Sequence, residues 1–243
     1  MNRRQALIIA NRYRILQQRE ERQNKKYFEK VFKDFAYVIE QQLSKDDWLS
    51  LDYTILIKEL KRSLSSVFTR SSKKSIEWVK TLFGWNLKDS DIKAITDKAL
   101  NNYNKKYAAT KVKEIESTTR RIINEIISEG QADGLTSSQI KDNIVSRVNG
   151  MAEGRAMNIA RTETSNAINN TTHESAEYAG MTKKTWIHSG GGKEDRESHL
   201  ALDGKTIGMK EYFVVDGYNA LYPHDPNLPA GQVINCHCIC IYE

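Results

Sequence analysis

The residues best suited to chemistry lie at the C-terminal end of the chain, where Cys236, Cys238 and Cys240 occupy alternate positions. In an extended strand this spacing places the three side chains on one face and His237 on the other. Two thiolates at i and i+2 can reach one metal ion, and zinc favours mixed cysteine and histidine ligands. Free cysteines also commonly serve as small buried apolar side chains, so the spacing leaves both interpretations open.

Histidines can supply the other ligands of such a site, and the candidates are His188, His199 and His224. Every cysteine and histidine of the chain lies within residues 173–243, which favours a shared site. A small glycine-rich unit also often needs a cross-link such as a bound metal ion, in addition to its apolar core, to be stable. We therefore predict a structural zinc ion with four protein ligands: Cys236, Cys238, His199 and His224.

Asp195 and His199 allow a catalytic interpretation of the same region. On a helix the two residues are four positions apart and would face each other. A carboxylate that orients an imidazole serves acid–base catalysis, but it also orients metal-binding histidines or forms an ordinary surface ion pair. The glycines at 190–192 lack the strand-to-helix context of a phosphate-binding loop.

Residue types divide the chain into two regimes. Residues 1–172 contain no cysteine, histidine or proline and only five glycines, whereas residues 173–243 contain eight glycines and all three prolines. Glycine and proline punctuate structure, so the first part is predicted to be nearly continuous helix and the second to be rich in turns. The predicted fold class is α+β. An elongated, mostly helical N-terminal region, residues 1–150, precedes a small irregular C-terminal unit, residues 151–243, with short antiparallel strands.

Positive charge is concentrated at the N-terminus. Residues 1–26 hold eight basic and two acidic residues, an excess equal to the net charge of +6 of the whole chain. Such a segment is either a solvated helix face or a positively charged surface that binds DNA or an acidic protein surface. Tyr13 is its one aromatic residue, so stacking on single-stranded bases is not indicated. No stretch of 18 apolar residues occurs, and the sequence predicts no membrane span.

Apolar residues at helical spacing predict the helices of the first region. Residues 3–43 should form one long helix or two joined ones, about 60 Å in length, part of which should project or lie along a partner. The next helix is expected to begin at Asp46 or Asp47, and the serine-rich residues 63–75 are expected to form a loop.

Local signals mark later boundaries. Helices are expected to end at Gly84, Gly130 and Gly180. A capping box of Thr136 and Gln139 should begin one helix, and a separate last helix should run from about residue 153 to 179. Beyond it, strands are predicted at 184–188, 212–215 and 232–242, with a short helix at 194–202.

Short motifs follow one another over about 80 residues of the C-terminal part. They are Ala160-Arg161-Thr162-Glu163, Ala167, Asn169, Gly180, Lys184-Thr185-Trp186, Asp195-Arg196, His199, Leu202-Asp203-Gly204, Phe213, Pro223-His224-Asp225-Pro226 and Ile234-Asn235-Cys236-His237-Cys238. Their order resembles that of the Mu F-like minor head protein family of tailed phages, also called phage head morphogenesis proteins. The family usually has arginine between the two cysteines, where this chain has His237, so the role of that arginine is open. The first 150 residues share with the family only their helical character and no fixed sequence.

The resemblance implies a head protein present in few copies, bound to the portal inside the capsid near the portal vertex, and in the host cytoplasm during assembly. It implies roles in head assembly and in DNA packaging and ejection, without catalytic residues. The portal protein is the implied partner, and packaged double-stranded DNA and scaffold or major capsid protein are further candidates. The alternative is an ADP-ribosyltransferase-like or nuclease-like enzyme centred on His199, because head proteins of this kind can resemble or carry such modules.

Overall fold

A computed structural model describes residues 3–43, 51–190 and 195–243. Five long helices dominate it: α1 (Arg3–Leu43), α2 (Thr54–Phe83), α3 (Asp89–Tyr103), α4 (Ala109–Ala132) and α5 (Ser137–Tyr178). A π-helix, Asn104–Ala108, joins α3 directly to α4. The expected helix start at Asp46 or Asp47 and positions 191–192 of the glycine turn lie outside the described residues. No helix in the described ranges is both long and apolar enough to cross a membrane.

The C-terminal region consists of short elements. They are β1 (Lys183–Ile187), α6 (Glu197–Leu200), β2 (Thr206–Gly208), β3 (Phe213–Val215), β4 (Tyr218–Ala220), α7 (Ala230–Val233) and β5 (Ile239–Tyr242). An antiparallel sheet has the strand order β2-β1-β5, with Trp186 opposite Cys240, and β3 and β4 form a separate antiparallel pair. The predicted α+β class, long helices followed by short antiparallel strands, is confirmed.

Several predicted helix boundaries coincide with local capping signals. Thr136 and Gln139 form the reciprocal bonds of a capping box at the start of α5. Gly84 follows α2 with a φ of 66°, and Gly180 follows the end of α5 with a φ of 78°. These left-handed conformations suit glycine because it has no Cβ.

The serine-rich residues 63–75 form the middle of α2, so the prediction of a loop there is wrong. Four serines of this segment are buried: Ser63, Ser71, Ser72 and Ser75. Asn24 of α1 donates a hydrogen bond to Ser71 Oγ at 2.8 Å, and Ser75 Oγ lies 2.8 Å from Thr172 Oγ1 of α5. Small hydroxyl side chains thus let three helices approach closely, and Ser71 and Ser75 form hydrogen bonds across the helix interfaces.

α5 is one helix of 42 residues where two were predicted. Gly150 and Gly154 lie within it, and each costs about 1 kcal/mol relative to alanine in a helix. Buried Met151, Ala152 and Ala156 keep this part of the helix packed in the core. The predicted domain boundary between residues 150 and 151 lies inside α5.

α1 lies along α5 of its own chain over much of its length and does not project. Its C-terminal half, from Phe28 to Leu43, contributes to an apolar core with α2, α4 and α5. Its N-terminal end contributes Ala6, Ala10 and Tyr13 to a second core that includes the C-terminal strands. Four polar residues are buried between these two parts: Gln17, Glu20, Glu21 and Asn24. α1 therefore connects both cores of the molecule.

Candidate metal centre

Three of the four predicted zinc ligands lie together. Among the described residues, the cluster of metal-ligating side chains whose ligand atoms all lie within 4.8 Å is His199, Cys236 and Cys238. His199 Nδ1 is 3.5 Å from each of the two sulfurs. Ligand bonds of ordinary length around a tetrahedral zinc ion would place nitrogen and sulfur about 3.6 Å apart. The spacing of the cluster therefore fits a zinc ion.

The orientation of His199 also suits a ligand. Its Nδ1 faces the sulfurs, and its Nε2 lies 2.9 Å from Gln232 Oε1. Gln232 in turn donates a hydrogen bond to Asp216 Oδ2 at 3.0 Å. Because the amide oxygen can only accept, Nε2 carries the proton and Nδ1 keeps its lone pair toward the sulfurs. Gln232 carries no distinctive sequence signal, since isolated glutamines are common on loops and short helices.

His188 lies on the other side of Cys238. Its Nδ1 is 3.4 Å from Cys238 Sγ, and its Nε2 is 3.1 Å from Asp195 Oδ1. α6 begins only at Glu197, so Asp195 and His199 do not share a helix, and Asp195 pairs with His188 instead of facing His199. At zinc sites, a histidine that binds the metal through one ring nitrogen commonly contacts a carboxylate through the other. His188 has this arrangement, with Cys238 on one side and Asp195 on the other.

His224 is not part of the cluster. Its Nε2 lies 2.8 Å from the backbone carbonyl oxygen of Cys236, and the residue has a φ of 65°. As the carbonyl can only accept, His224 donates this hydrogen bond. Its assignment as a zinc ligand remains a prediction, while the contact in the structure positions the backbone of Cys236.

Cys240 is also separate from the cluster, because β5 begins only at Ile239 and the alternation of a strand does not extend back to Cys236 and Cys238. The prediction of one strand over 232–242 is therefore wrong in its first half, where α7 and a turn occur. Burial raises the pKa of the Cys240 thiol far above its ordinary value. Cys240 is a buried core side chain in the sheet.

Polar side chains from distant parts of the chain hold the turn that carries the two clustered cysteines. Arg196 donates hydrogen bonds to the carbonyl oxygens of Gly231 and Ile234, at 2.8 and 2.7 Å. Asn169 Nδ2 of α5 donates to the Cys238 carbonyl oxygen at 3.1 Å. These contacts explain why the motifs occur together in the sequence, because their residues, although far apart along the chain, meet at one turn.

Arg161, Thr162 and Glu163 connect α5 to the turn at Asn235 and to α3. Arg161 Nη1 donates to Asn235 Oδ1 at 3.2 Å, and the backbone N–H of Asn235 donates to Thr162 Oγ1 at 3.3 Å. Asn235 has a φ of 56°, a conformation that needs such support. Glu163 points to α3, where Tyr103 donates a hydrogen bond to it at 2.8 Å.

The position between the cysteines faces α1. His237 Nδ1 lies 3.6 Å from Glu21 Oε1, and Arg161 Nε lies 3.6 Å from Glu21 Oε2. Burial lowers the pKa of His237 to about 4, so this ring is neutral near pH 7. Burial also raises the pKa of Glu21, an effect that Arg161 opposes. His237 thus packs the cysteine turn against α1 without adding a charge at neutral pH.

The two clustered thiols are unequal. Hydrogen bonding to Cys238 lowers the pKa of Cys236 well below its ordinary value, although burial acts in the opposite direction. The same interaction, together with burial, raises the pKa of Cys238 well above its ordinary value. A metal cation bound by both sulfurs would require both thiols to lose their protons.

The cleft over the cluster is very small. Its volume is about 20 Å³, and it is lined by His188, Asp195, His199, Cys236 and Cys238, among others. A volume of this size corresponds to roughly one water molecule or ion. His199 itself is only 1% exposed. The arrangement can hold an ion, but it offers little room for an organic substrate.

The class of protein is indicated by the segment of the chain that contains the cysteine and histidine cluster. The family model described as phage Mu protein F like protein matches residues 121–241, about half of the chain, including the whole cysteine and histidine cluster. Over these residues the chain belongs to the phage Mu protein F-like family, which confirms the resemblance of its motifs. Membership indicates a bacteriophage head morphogenesis protein and, with it, a place in the virion.

A particular relative is the uncharacterized protein YqbB of Bacillus subtilis (strain 168), which is 42% identical over 89 residues. The match covers 35% of this chain and 29% of that protein. No solved structure matches the chain significantly.

Proposed function

We propose that this protein is a minor head protein of a tailed bacteriophage that is bound to the portal protein inside the head, where it acts in head assembly and in DNA packaging and ejection. The family match over residues 121–241 carries this proposal. Two features of the fold support a structural component: a frame of five long helices, and a C-terminal region whose ordered motifs converge on one turn. Scaffold or major capsid protein are further candidate partners during assembly.

The C-terminal region of the proposed head protein binds one structural zinc ion through His199 Nδ1 and the sulfurs of Cys236 and Cys238. The 3.5 Å spacings and the orienting contact from Gln232 support these three ligands. His188 is the proposed fourth ligand, because its Nδ1 lies 3.4 Å from Cys238 Sγ and its Nε2 contacts Asp195. Its ring would move toward the other ligands on binding, since its nitrogen lies outside the cluster of atoms within 4.8 Å. The zinc would join β1, α6 and the turn before β5, in addition to the apolar core that these segments share.

The fourth ligand can be identified with a pair of matched variants. His188→Asn is expected to weaken zinc binding at least about tenfold, because the variant loses a direct ligand. His224→Asn is expected to retain zinc within about twofold and to lower stability by roughly 1 kcal/mol, since it loses a positioning hydrogen bond. Competition with a zinc-chelating dye measures both affinities. The opposite ranking would restore His224 as the ligand.

The burial of His199 and the small cleft support a structural role over the enzymatic alternative. ADP-ribosyl transfer or nucleic-acid hydrolysis requires a substrate much larger than an ion to reach the reacting groups. A zinc ion with four protein ligands would also leave no open position for a substrate or for a reactive water molecule.

Substitution of exposed apolar side chains, which do not contribute to the core, tests portal binding by the helical region, residues 1–150. Tyr37 is 63% exposed and Ile55 is 41% exposed, where α1 ends and α2 begins. Tyr37→Ser combined with Ile55→Ser is expected to lower capture by purified portal protein about tenfold, because exposed aromatic and aliphatic side chains form the anchors of protein interfaces. Pulldown and incorporation into heads measure the effect.

The matched control for portal binding is Val214→Ser combined with Tyr218→Ser, which removes equally exposed side chains from β3 and β4. This variant is expected to bind portal protein normally. If it loses portal protein while the Tyr37 and Ile55 variant keeps it, the C-terminal region and not the helical region carries portal binding. Failure of both variants to change capture would place the contact elsewhere on the surface.

A further inference from the structure

The exposed face of α1 carries a continuous stripe of positive charge. It consists of Arg4, Ile8, Arg12, Ile15, Arg19, Arg22, Lys26, Lys30 and Lys33, all of them exposed. At 3.6 residues per turn, these positions fall within an arc of about 80° and extend over about 44 Å. We name this set the α1 stripe. It contains seven cations and no acidic residue, and it continues beyond the basic segment of residues 1–26.

Six of the seven cations of the α1 stripe are not paired with an acidic group of the described residues, and the helix that carries them is packed against the fold. Lys30 pairs with Asp34 at 2.7 Å. Within the described ranges, the other six cations have no acidic group within ion-pair distance. The opposite face of α1 packs against α5 and contributes to both cores, so the helix backbone is fixed. The stripe is therefore a preformed array, and binding an anionic partner would not require the helix to fold.

The chemistry of the α1 stripe distinguishes between kinds of partner. Protein interfaces have a core that is depleted in charge, whereas Ile8 and Ile15 are the only apolar members of this stripe. A membrane-surface helix needs a wide apolar face toward the lipid, and the apolar face of α1 is buried in the fold. A row of arginines and lysines with little apolar surface suits a row of phosphates.

The form of the nucleic acid follows from what the stripe lacks. Proteins that bind single strands without sequence preference combine basic grooves with aromatic side chains on which bases stack. The α1 stripe, from Arg4 to Lys33, has no aromatic residue, and Tyr37 lies one turn beyond its end on the same face. Arginine and lysine along one rigid rod can contact the regularly spaced phosphates of a duplex, and such contacts do not read sequence.

We propose that the α1 stripe binds double-stranded DNA through its phosphates, without sequence specificity. The inference names a partner for the proposed head protein, because a protein inside a filled head is surrounded by packaged duplex. It rests on the charges of α1 and not on portal binding. Its test therefore uses different variants from the portal test, and either proposal can fail alone.

The test compares four-residue variants of equal charge change. The stripe variant carries Arg12→Gln, Arg19→Gln, Arg22→Gln and Lys26→Gln. The control carries four exposed substitutions outside α1: Lys93→Gln, Lys105→Gln, Lys113→Gln and Arg147→Gln. Binding to a 30-base-pair duplex labelled with fluorescein is measured by anisotropy for each protein between about 50 and 300 mM salt. Circular dichroism and the unfolding midpoint establish that all three proteins are folded.

The full chain is expected to bind two duplexes of unrelated sequence equally, with a log–log salt slope of about −4, as four phosphate contacts would give. The stripe variant is expected to lose at least about tenfold in affinity at 100 mM salt and most of its salt dependence, and the control is expected to stay within about twofold. Equal losses in both variants would show that only net charge matters and would overturn the proposal. Stronger binding to a single strand of the same length would also contradict it. Unchanged duplex affinity in the stripe variant, with loss of portal capture, would identify the stripe as a protein-docking surface.

Discussion

Purified protein is expected to contain about one equivalent of zinc, and Cys238→Ser is expected to contain less than about 0.2 equivalents. The serine hydroxyl is a poor zinc ligand, and Cys238 is the residue whose sulfur faces both His199 and His188. The zinc-bound state is also expected to resist unfolding more than the protein treated with a chelator. A free zinc concentration a thousand times the Kd would stabilise the fold by about 4 kcal/mol. Elemental analysis and urea unfolding measure the two effects.

Cys240→Ser provides the matched control for the zinc prediction. Cys240 lies two residues further along and is equally buried, but it is separate from the cluster. Its replacement is expected to lower stability by burying an extra hydroxyl, with the zinc content unchanged. A folded protein with no bound metal, or equal loss of zinc in both variants, would contradict the assignment of Cys238 as a ligand. Both outcomes leave the family membership and the head function untouched.

Arg161→Met is expected to lower the free energy of unfolding by about 3 kcal/mol. Glu21 is buried on α1, and Arg161 is the nearest cation, with Nε 3.6 Å from its carboxylate. Removal of the guanidinium leaves a buried carboxylate without its charge partner and also removes the hydrogen bond to Asn235. Loss of one member of a buried pair is costly because the remaining charge has already lost its hydration. Urea unfolding at pH 7 measures the change.

Two further variants separate this explanation from general disruption. The double variant Arg161→Met with Glu21→Gln is expected to recover more than half of the loss, because position 21 no longer carries a buried carboxylate. Arg121→Met removes a partner of Glu125 in an exposed pair on α4 and is expected to cost less than about 0.5 kcal/mol. If the double variant is as unstable as Arg161→Met alone, the effect comes from the Asn235 contact and not from the charge of Glu21.

Signals within a few residues were sufficient to predict many boundaries of this protein. The capping box at Thr136 and the glycine at position 180 place the two ends of α5 from local hydrogen bonding and backbone freedom alone. Apolar spacing predicted α1 over the same range of residues, 3–43, that the structure shows. The clustering of histidine and cysteine in the last 71 residues likewise led to His199, Cys236 and Cys238, since it depends on residue type and not on packing.

Contacts between residues distant in sequence decided the rest. The serines of α2 lie in a helix because Asn24 and Thr172 offer them partners across helix interfaces, and their own sequence shows no such partners. His188 Nδ1 lies beside Cys238 Sγ because the β1–β5 pairing brings the end of β1 next to Cys238. The packing of α5 against the opposite face of α1 decided that the face with the basic residues is the exposed one. Residue types and local spacing thus determined which groups this protein has and where most helices begin and end. The packing of α1, α5 and the short strands decided which groups meet, because each such contact joins residues that only the folded chain brings together.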